Sequence, residues 1–213
     1  LFPYRRSSDL TQMFVAGMGT SVIAGNFIAF SIAALINLPG NALGSASTII
    51  TGRRLGNGQI AQAEIQLRHV FWLSTIGLTA IAWLSAPFAG LMASFYTRDQ
   101  EVKDVVVILI WLNAAFMPIW AASWVLPSGF KGARDARFAM WVSMLGMWGC
   151  RVVAGYTLGI VLGWGVVGVW MGMFFDWAVR AALFYWRMVS GRWLWKYPRP
   201  VHQKLTKSPV ASE

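Results

Sequence analysis

Charged side chains are missing from three long runs of the chain: Met13 to Gly52, His69 to Thr97 and Val105 to Phe130. Each run exceeds the ~20 residues that carry a helix across a bilayer. None of them shows the alternating stripe of a half-exposed soluble helix, nor the ~10-residue alternation of a membrane barrel strand. The pattern predicts a span over Val22–Thr51, a surface helix over Ile60–Arg68, a span over His69–Ser94 and a span over Val105–Val125 ended by Pro127-Ser128-Gly129. It then predicts a helical hairpin over Phe138–Val189 that turns at Gly163-Trp164-Gly165. Thr11–Gly19 is apolar but too short to span and reads as the end of a further helix. The fold expected is all-α, a polytopic membrane helix bundle.

The hairpin carries two ionisable residues inside apolar surroundings, Arg151 and Asp176. Arg151 lies 12 residues before Gly163 and Asp176 lies 13 after it. At ~1.5 Å per residue both sit roughly 18–20 Å from the same membrane face. A charge at that depth is costly unless it faces protein or water, so the two are expected to pair, with Arg180 one turn from Asp176 able to share the carboxylate. Such a group either fixes the two helices together or changes protonation during a transport cycle. The structural role is favoured, because an adjacent arginine stabilises the carboxylate charge.

Composition agrees with the pattern: 57% of residues are hydrophobic and only 12% charged, and the net charge of +10 sits in loops and tail beside apolar spans rather than on a nucleic-acid face. Arg53, Arg54, Arg68, Lys131, Arg134, Arg137, Arg187, Arg192, Lys196 and Arg199 fall in one set of loops and the tail, while the alternate set holds Arg98 and Lys103. The positive-inside rule therefore predicts a cytoplasmic C-terminus. The stretch 198–213 reads as a disordered cytoplasmic tail. Leu1–Leu10 (LFPYRRSSDL) does not match the apolar chain after it; it reads as a translated sequencing adapter, non-native to the chain, which would make the remainder a piece of a longer protein.

Few residues can do chemistry. The lone Cys150 lies inside a span, and His69 and His202 are isolated, so no metal site and no cofactor are expected. No nucleophile–base pair or acid cluster stands at membrane depth, and an enzyme is not expected. Gly56-x-Gly58-x-x-Ala61 resembles a dinucleotide fingerprint, but a membrane span precedes it where a strand is required. Polar residues inside spans are the better candidates: Asn26, Asn37, Asn41, Asn113, Trp120 and Ser123 can line a substrate cavity or bond between helices. Pro39 should kink its helix. The pairs Gly155/Gly159 and Gly168/Gly172 should let helices approach closely.

Three stretches, in order and between spans of the right length, resemble the C-terminal lobe of the MATE family (multidrug and toxic compound extrusion). They are Leu38-Pro39-Gly40 leading to Thr51-Gly52-Arg53-Arg54-Leu55-Gly56-Asn57-Gly58; Gly129-Phe130-Lys131-Gly132-Ala133-Arg134-Asp135-Ala136-Arg137; and Gly165-Val166-Val167-Gly168-Val169-Trp170 followed by Asp176, Arg180 and Gly191-Arg192-Trp193. The resemblance covers about 11–197 and implies the end of helix seven plus helices eight to twelve of a twelve-helix, two-lobed transporter. By that resemblance the chain is a fragment of a secondary exporter of the bacterial inner membrane. It would antiport drugs, organic cations or aromatic metabolites against H⁺ or Na⁺, with a small-molecule substrate, the lipid bilayer and a missing N-terminal lobe as its partners. The sequence departs from some branches, which carry an acid on the tenth helix; Val105–Phe130 has none. The alternative is an oligomeric channel or scaffold subunit complete in itself.

Overall fold

Five helices long and apolar enough to cross a membrane account for nearly all of residues 19–197, the part of the chain that the computed structural model describes. They are α1 (Thr20–Gly56), α2 (Ile60–Ser94), α3 (Gln100–Gly132), α4 (Ala136–Val161) and α5 (Gly165–Val189). No strand occurs among the described residues. The expectations for Leu1–Leu10, for the helix end over Thr11–Gly19 except its last residue, and for the tail 198–213 lie outside the described residues.

Helices α1, α3 and α5 run one way and α2 and α4 return. The α1–α3 pairing is parallel and keeps one register along its whole length. Ser21 Oγ donates to Glu101 Oε2 at 2.9 Å and Thr48 Oγ1 donates to the Ser128 carbonyl at 2.8 Å, both at an offset of 80 residues. Gly25 against Val105, Gly40 against Trp120 and Gly52 against Gly132 repeat that offset. A Cβ on Gly40 would stand 2.6 Å from the Trp120 ring. Glycine is thus the side of the contact that lets the indole lie on the α1 backbone. Between the two ends the helices travel together for on the order of 45 Å. Helices α3 and α5 are the most enclosed: 50% of each apolar window is buried inside the protein, against 28% for α2 and α4.

The expected surface helix over Ile60–Arg68 and the span after it form one continuous rod as far as Ser85, then turn through a short 3₁₀ step at Ala86–Phe88, which holds Pro87, into Ala89–Ser94. Arg54 at the end of α1 donates to Gln59 at 2.6 Å, Gln62 at 2.8 Å and Gln66 at 3.2 Å, so the loop between α1 and α2 is short and held. Gly58, at φ +73°, makes the turn that the glycine-rich sequence predicted. With helices on both sides, it is no dinucleotide fingerprint.

One boundary needs correction. Pro127-Ser128-Gly129 does not end the third span; α3 continues to Gly132. Proline deletes one backbone donor and frees the Ser123 carbonyl, but here Pro127 is buried against protein rather than facing lipid, and such a break in the ladder is tolerated there. Gly129 serves packing instead of turning: a Cβ there would collide with the Leu67 side chain and come 3.0 Å from Ser47 Oγ.

The α4–α5 hairpin turns at residues 162–164, with Gly163 and Gly165 at φ +71° and +59°. Its helices are antiparallel and touch backbone to backbone. A Cβ on Gly172 would strike Gly155, and one on Gly168 would stand 2.6 Å from the Leu158 carbonyl carbon and 2.8 Å from Gly159 N. The close approach expected of those four glycines is present.

Two apolar clusters hold the bundle. One, around Ile36, Leu78, Leu109, Met117, Trp170 and Phe174, joins α1, α2, α3 and α5. The other, around Leu67, Leu126, Phe130, Phe184 and Trp193, closes the basic end. There Arg187 donates to Asp135 at 2.6 Å with its guanidinium 4.0 Å over the Phe138 ring, tying the end of α5 to the start of α4. Arg187→Ala is expected to cost between the ~1 kcal/mol of an exposed pair and the ~3–5 kcal/mol of a buried one, read as a fall in thermal midpoint in detergent.

Candidate functional site

The charged residues of the hairpin converge, through a helix distortion that the residue pattern did not announce. Residues Gly146–Val152 of α4 wind as a π-helix, and Thr157–Val161 do so again. Each π turn inserts an extra residue and rotates the helix beyond it. Gly146 faces Asp176 Oδ1 and leaves no room for a Cβ, with Arg180 Cγ 2.9 Å from where one would be. Arg151 projects from the same distorted turn and is 9% exposed.

Asp176 is fully buried, and the hydrogen-bonded ion pair it forms is with Arg180, one turn along its own helix. Its other oxygen, Oδ1, has no hydrogen-bond donor among the described residues. Arg151 acts on Asp176 electrostatically from the facing helix. The sequence predicts that Arg151 and Asp176 pair across the hairpin, with Arg180 able to share the carboxylate; the hydrogen-bonded pair is the one within α5. The i,i+4 geometry available within α5 then makes Arg180 the hydrogen-bonding partner.

Beside this cluster lies a cavity of about 270 Å³ between α1, α3, α4 and α5. Asn37 and Asn41 from α1, Asn113, Trp120 and Ser123 from α3, Arg151 from α4 and Arg180 from α5 all line it. A second hollow of about 780 Å³ shares Asn41, Ser123, Trp124 and Arg180 with the first and leads to Lys131 and Arg137 at the basic end. Together they make one cleft from the middle of the bundle to its basic end. Among the described residues its lining contains no carboxylate; Asp176 stands behind the wall. Trp120 and Trp124 stack on each other with centroids 5.7 Å apart and planes 10° apart, and Trp177 meets Trp120 edge-on at 6.5 Å. Two carboxamides have atoms with no hydrogen-bond partner among the described residues: Asn113 Nδ2, on a residue only 2% exposed, and Asn37 Oδ1. Buried polar atoms are seldom left without a partner, so such atoms beside a cavity mark places for water or a bound solute.

Asn26 does not join this lining. It is 1% exposed, and its Oδ1 accepts the Trp170 indole N–H at 2.9 Å, a bond from α1 to α5 inside the apolar cluster. Asn26→Ala would leave that indole donor buried and unpaired, at an expected cost of ~1–3 kcal/mol, measurable as a lower unfolding midpoint in detergent. Pro39, expected at a kink, lies inside α1 between cavity-lining Asn37 and Asn41. Trp170, Met173 and Trp177 of α5 and Phe30 of α1 also line the cavity and were not singled out from sequence. The one available signal was that Trp170, Met173, Trp177 and Arg180 recur at helical spacing on one face of α5.

A bundle of membrane-spanning helices around a polar cleft is the build of a membrane transporter lobe, and similar solved structures have the same fold. The chain superposes on the MATE transporter ClbM in complex with Rb⁺ with a TM-score of 0.82, at 19% identity, over 91% of this chain and 46% of that one. A crystal structure of MATE in the bent conformation gives 0.79 at 22% identity, over 87% and 41%. By sequence the chain is 27% identical to the uncharacterized transporter YisQ of Bacillus subtilis, over 91% of this chain and 42% of that protein. It is 28% identical to the multidrug resistance protein MdtK of Yersinia pseudotuberculosis, over 89% and 42%. The chain belongs to the MatE family, whose family model matches residues 7–157. It spans less than half the length of these curated relatives. The family places it among membrane transporters rather than enzymes.

Proposed function

We propose that this chain forms the C-terminal lobe of a secondary active exporter of the bacterial inner membrane. In this reading it moves drugs, organic cations or aromatic metabolites outward in exchange for H⁺ or Na⁺. The observation that carries the proposal is the cleft: four helices of one lobe converge polar and aromatic side chains on a hollow at membrane depth. Substrate sites of secondary transporters lie near the midplane, where one structural half meets the other. A first lobe of the same protein is the natural partner for that face, in keeping with the matched share of the relatives. The excess of arginine and lysine around Arg54, Arg134 and Arg192 supports a cytoplasmic basic end and C-terminus. Family membership and the Rb⁺ complex of one structural relative support coupling to a monovalent cation.

The arrangement supplies recognition and conformational change and needs no bound cofactor. Carboxamides of Asn37, Asn41 and Asn113 offer hydrogen bonds to a solute, and the Trp120–Trp124 stack offers a flat apolar wall. Pro39, beside the asparagines, marks the level at which α1 can bend. Proteoliposomes containing the protein, loaded with a fluorescent aromatic dye, test this. An imposed proton or sodium gradient should drive dye against its own gradient. Downhill dye flux that ignores the ion gradient would mark a channel and overturn the exporter reading.

A further inference from the structure

We infer that the cleft is built for aromatic anions, solutes with a flat ring system and a carboxylate, sulfonate or phosphate. The inference rests on the reading of the cleft as the cargo site. Four cationic side chains line it in sequence from the basic end inward: Lys131, Arg137, Arg180 and Arg151. No acid is among the described residues that line this lobe's side of it, and Asp176 behind the wall offsets one of the four. Whatever Arg151 touches in the resting protein, its charge stays in the cleft, because guanidinium does not deprotonate in proteins.

The apolar part of the site matches the same class. Both indoles of the Trp120–Trp124 stack, set 10° from parallel, line the hollow. Arg151 and Arg180 border the same cavity, and a guanidinium's planar fork fits the oxygens of a carboxylate, sulfonate or phosphate. Asn113 adds an N–H donor with no acceptor among the described residues, on a residue 2% exposed. An aromatic cation would gain from the indole quadrupoles, but it would meet a net excess of positive charge, since Asp176 pairs with only one of the four cations. Full charges outrank quadrupoles there.

The test uses the protein in nanodiscs of neutral phosphatidylcholine and two probes of equal ring area and opposite charge, 1-pyrenesulfonate and 1-pyrenemethylammonium. Binding is measured above that of empty discs. The sulfonate is expected to bind at least about tenfold more tightly than the ammonium, the scale of one charge-assisted contact. Arg151→Gln should remove most of that preference. Lys131→Gln with Arg137→Gln, both exposed at the basic end, should weaken it without touching the fold, and salt should narrow the difference. Doping the discs with phosphatidylglycerol, an anion without a ring, should leave pyrenesulfonate bound. Equal or tighter binding of the ammonium, displacement by the lipid, or no binding of either probe would overturn the inference. The exporter reading stands or falls separately, on whether an ion gradient drives dye.

Discussion

Arg180→Ala is expected to be among the most damaging single substitutions in the bundle, costing ~3–5 kcal/mol. The reason is the partner it abandons. Asp176 is 0% exposed, and one of its two oxygens already lacks a donor among the described residues. Removing Arg180 leaves a fully buried carboxylate with its remaining cation across the hairpin. Gly146 and its π-helical turn press against that carboxylate, so the side chain has no space to turn away. Asp176→Asn should cost less, because Arg180 borders the cavity and can be hydrated there. Adding Asp176→Asn to Arg180→Ala should restore part of the loss, since no buried charge then remains unpaired. Arg180→Ala combined with Arg151→Gln should be worse than the sum of the two by ~1 kcal/mol or more, since both cations serve one anion. Unfolding by sodium dodecyl sulfate in mixed micelles measures each value. If Arg180→Ala falls within ~0.5 kcal/mol of wild type, as ordinary surface changes do, the ion pair does not hold this site together.

The second large effect is expected at Gly172→Val, at ~3 kcal/mol or more, above the usual ~1–3 kcal/mol of an overpacked core. A Cβ at Gly172 meets the backbone of Gly155 and stands 2.9 Å from the Ala154 carbonyl carbon. Backbone cannot swing aside as a side chain can, so α4 and α5 would have to separate along the hairpin. That motion would also loosen Gly159 against Val169 and Gly168 against Leu158. Gly77→Ala makes the control. Gly77 sits inside α2 with nothing within 4 Å of its missing Cβ. Alanine there should stabilise by roughly 0.5–1 kcal/mol through helix propensity alone. A loss at Gly172 no larger than the usual overpacking range, or a loss at Gly77, would show that backbone contact does not set the hairpin.

Much of this bundle was legible in the residue order. Runs without charge betray spans because lipid excludes ions everywhere along a helix, so the helices could be counted and the hairpin turn at Gly163 located. What escaped needed a neighbour to be seen. Pro127 reads as a stop when α3 is considered alone, and it is tolerated only because protein surrounds it. Asn26 and Asn113 are the same residue type, each inside an apolar span. One meets an indole N–H and the other a cavity, and only the rotation of the helices about each other decides which. The depth of Arg151 could be counted along the chain, but the π-helical turn that sets its direction could not. Lys131 and Arg137 stood out as topology markers because they end a span; their place at the wall of the cleft depends on how α3 and α4 meet.

The unbroken register between α1 and α3 has a mechanical consequence. Pro39 and Pro118 lie one residue from the shared offset of 80, so both rods are notched at one height. Each proline leaves the carbonyl four residues earlier, at Leu35 and Ala114, without its usual backbone donor, and stiffness drops there in both members at once. Two beams fastened side by side and notched together fold along a common crease, and the fastened halves turn as plates. Spin labels placed on α1 and α3 on the same side of that crease should keep a constant separation in every state of the protein. A change between them would show the beams sliding past each other instead.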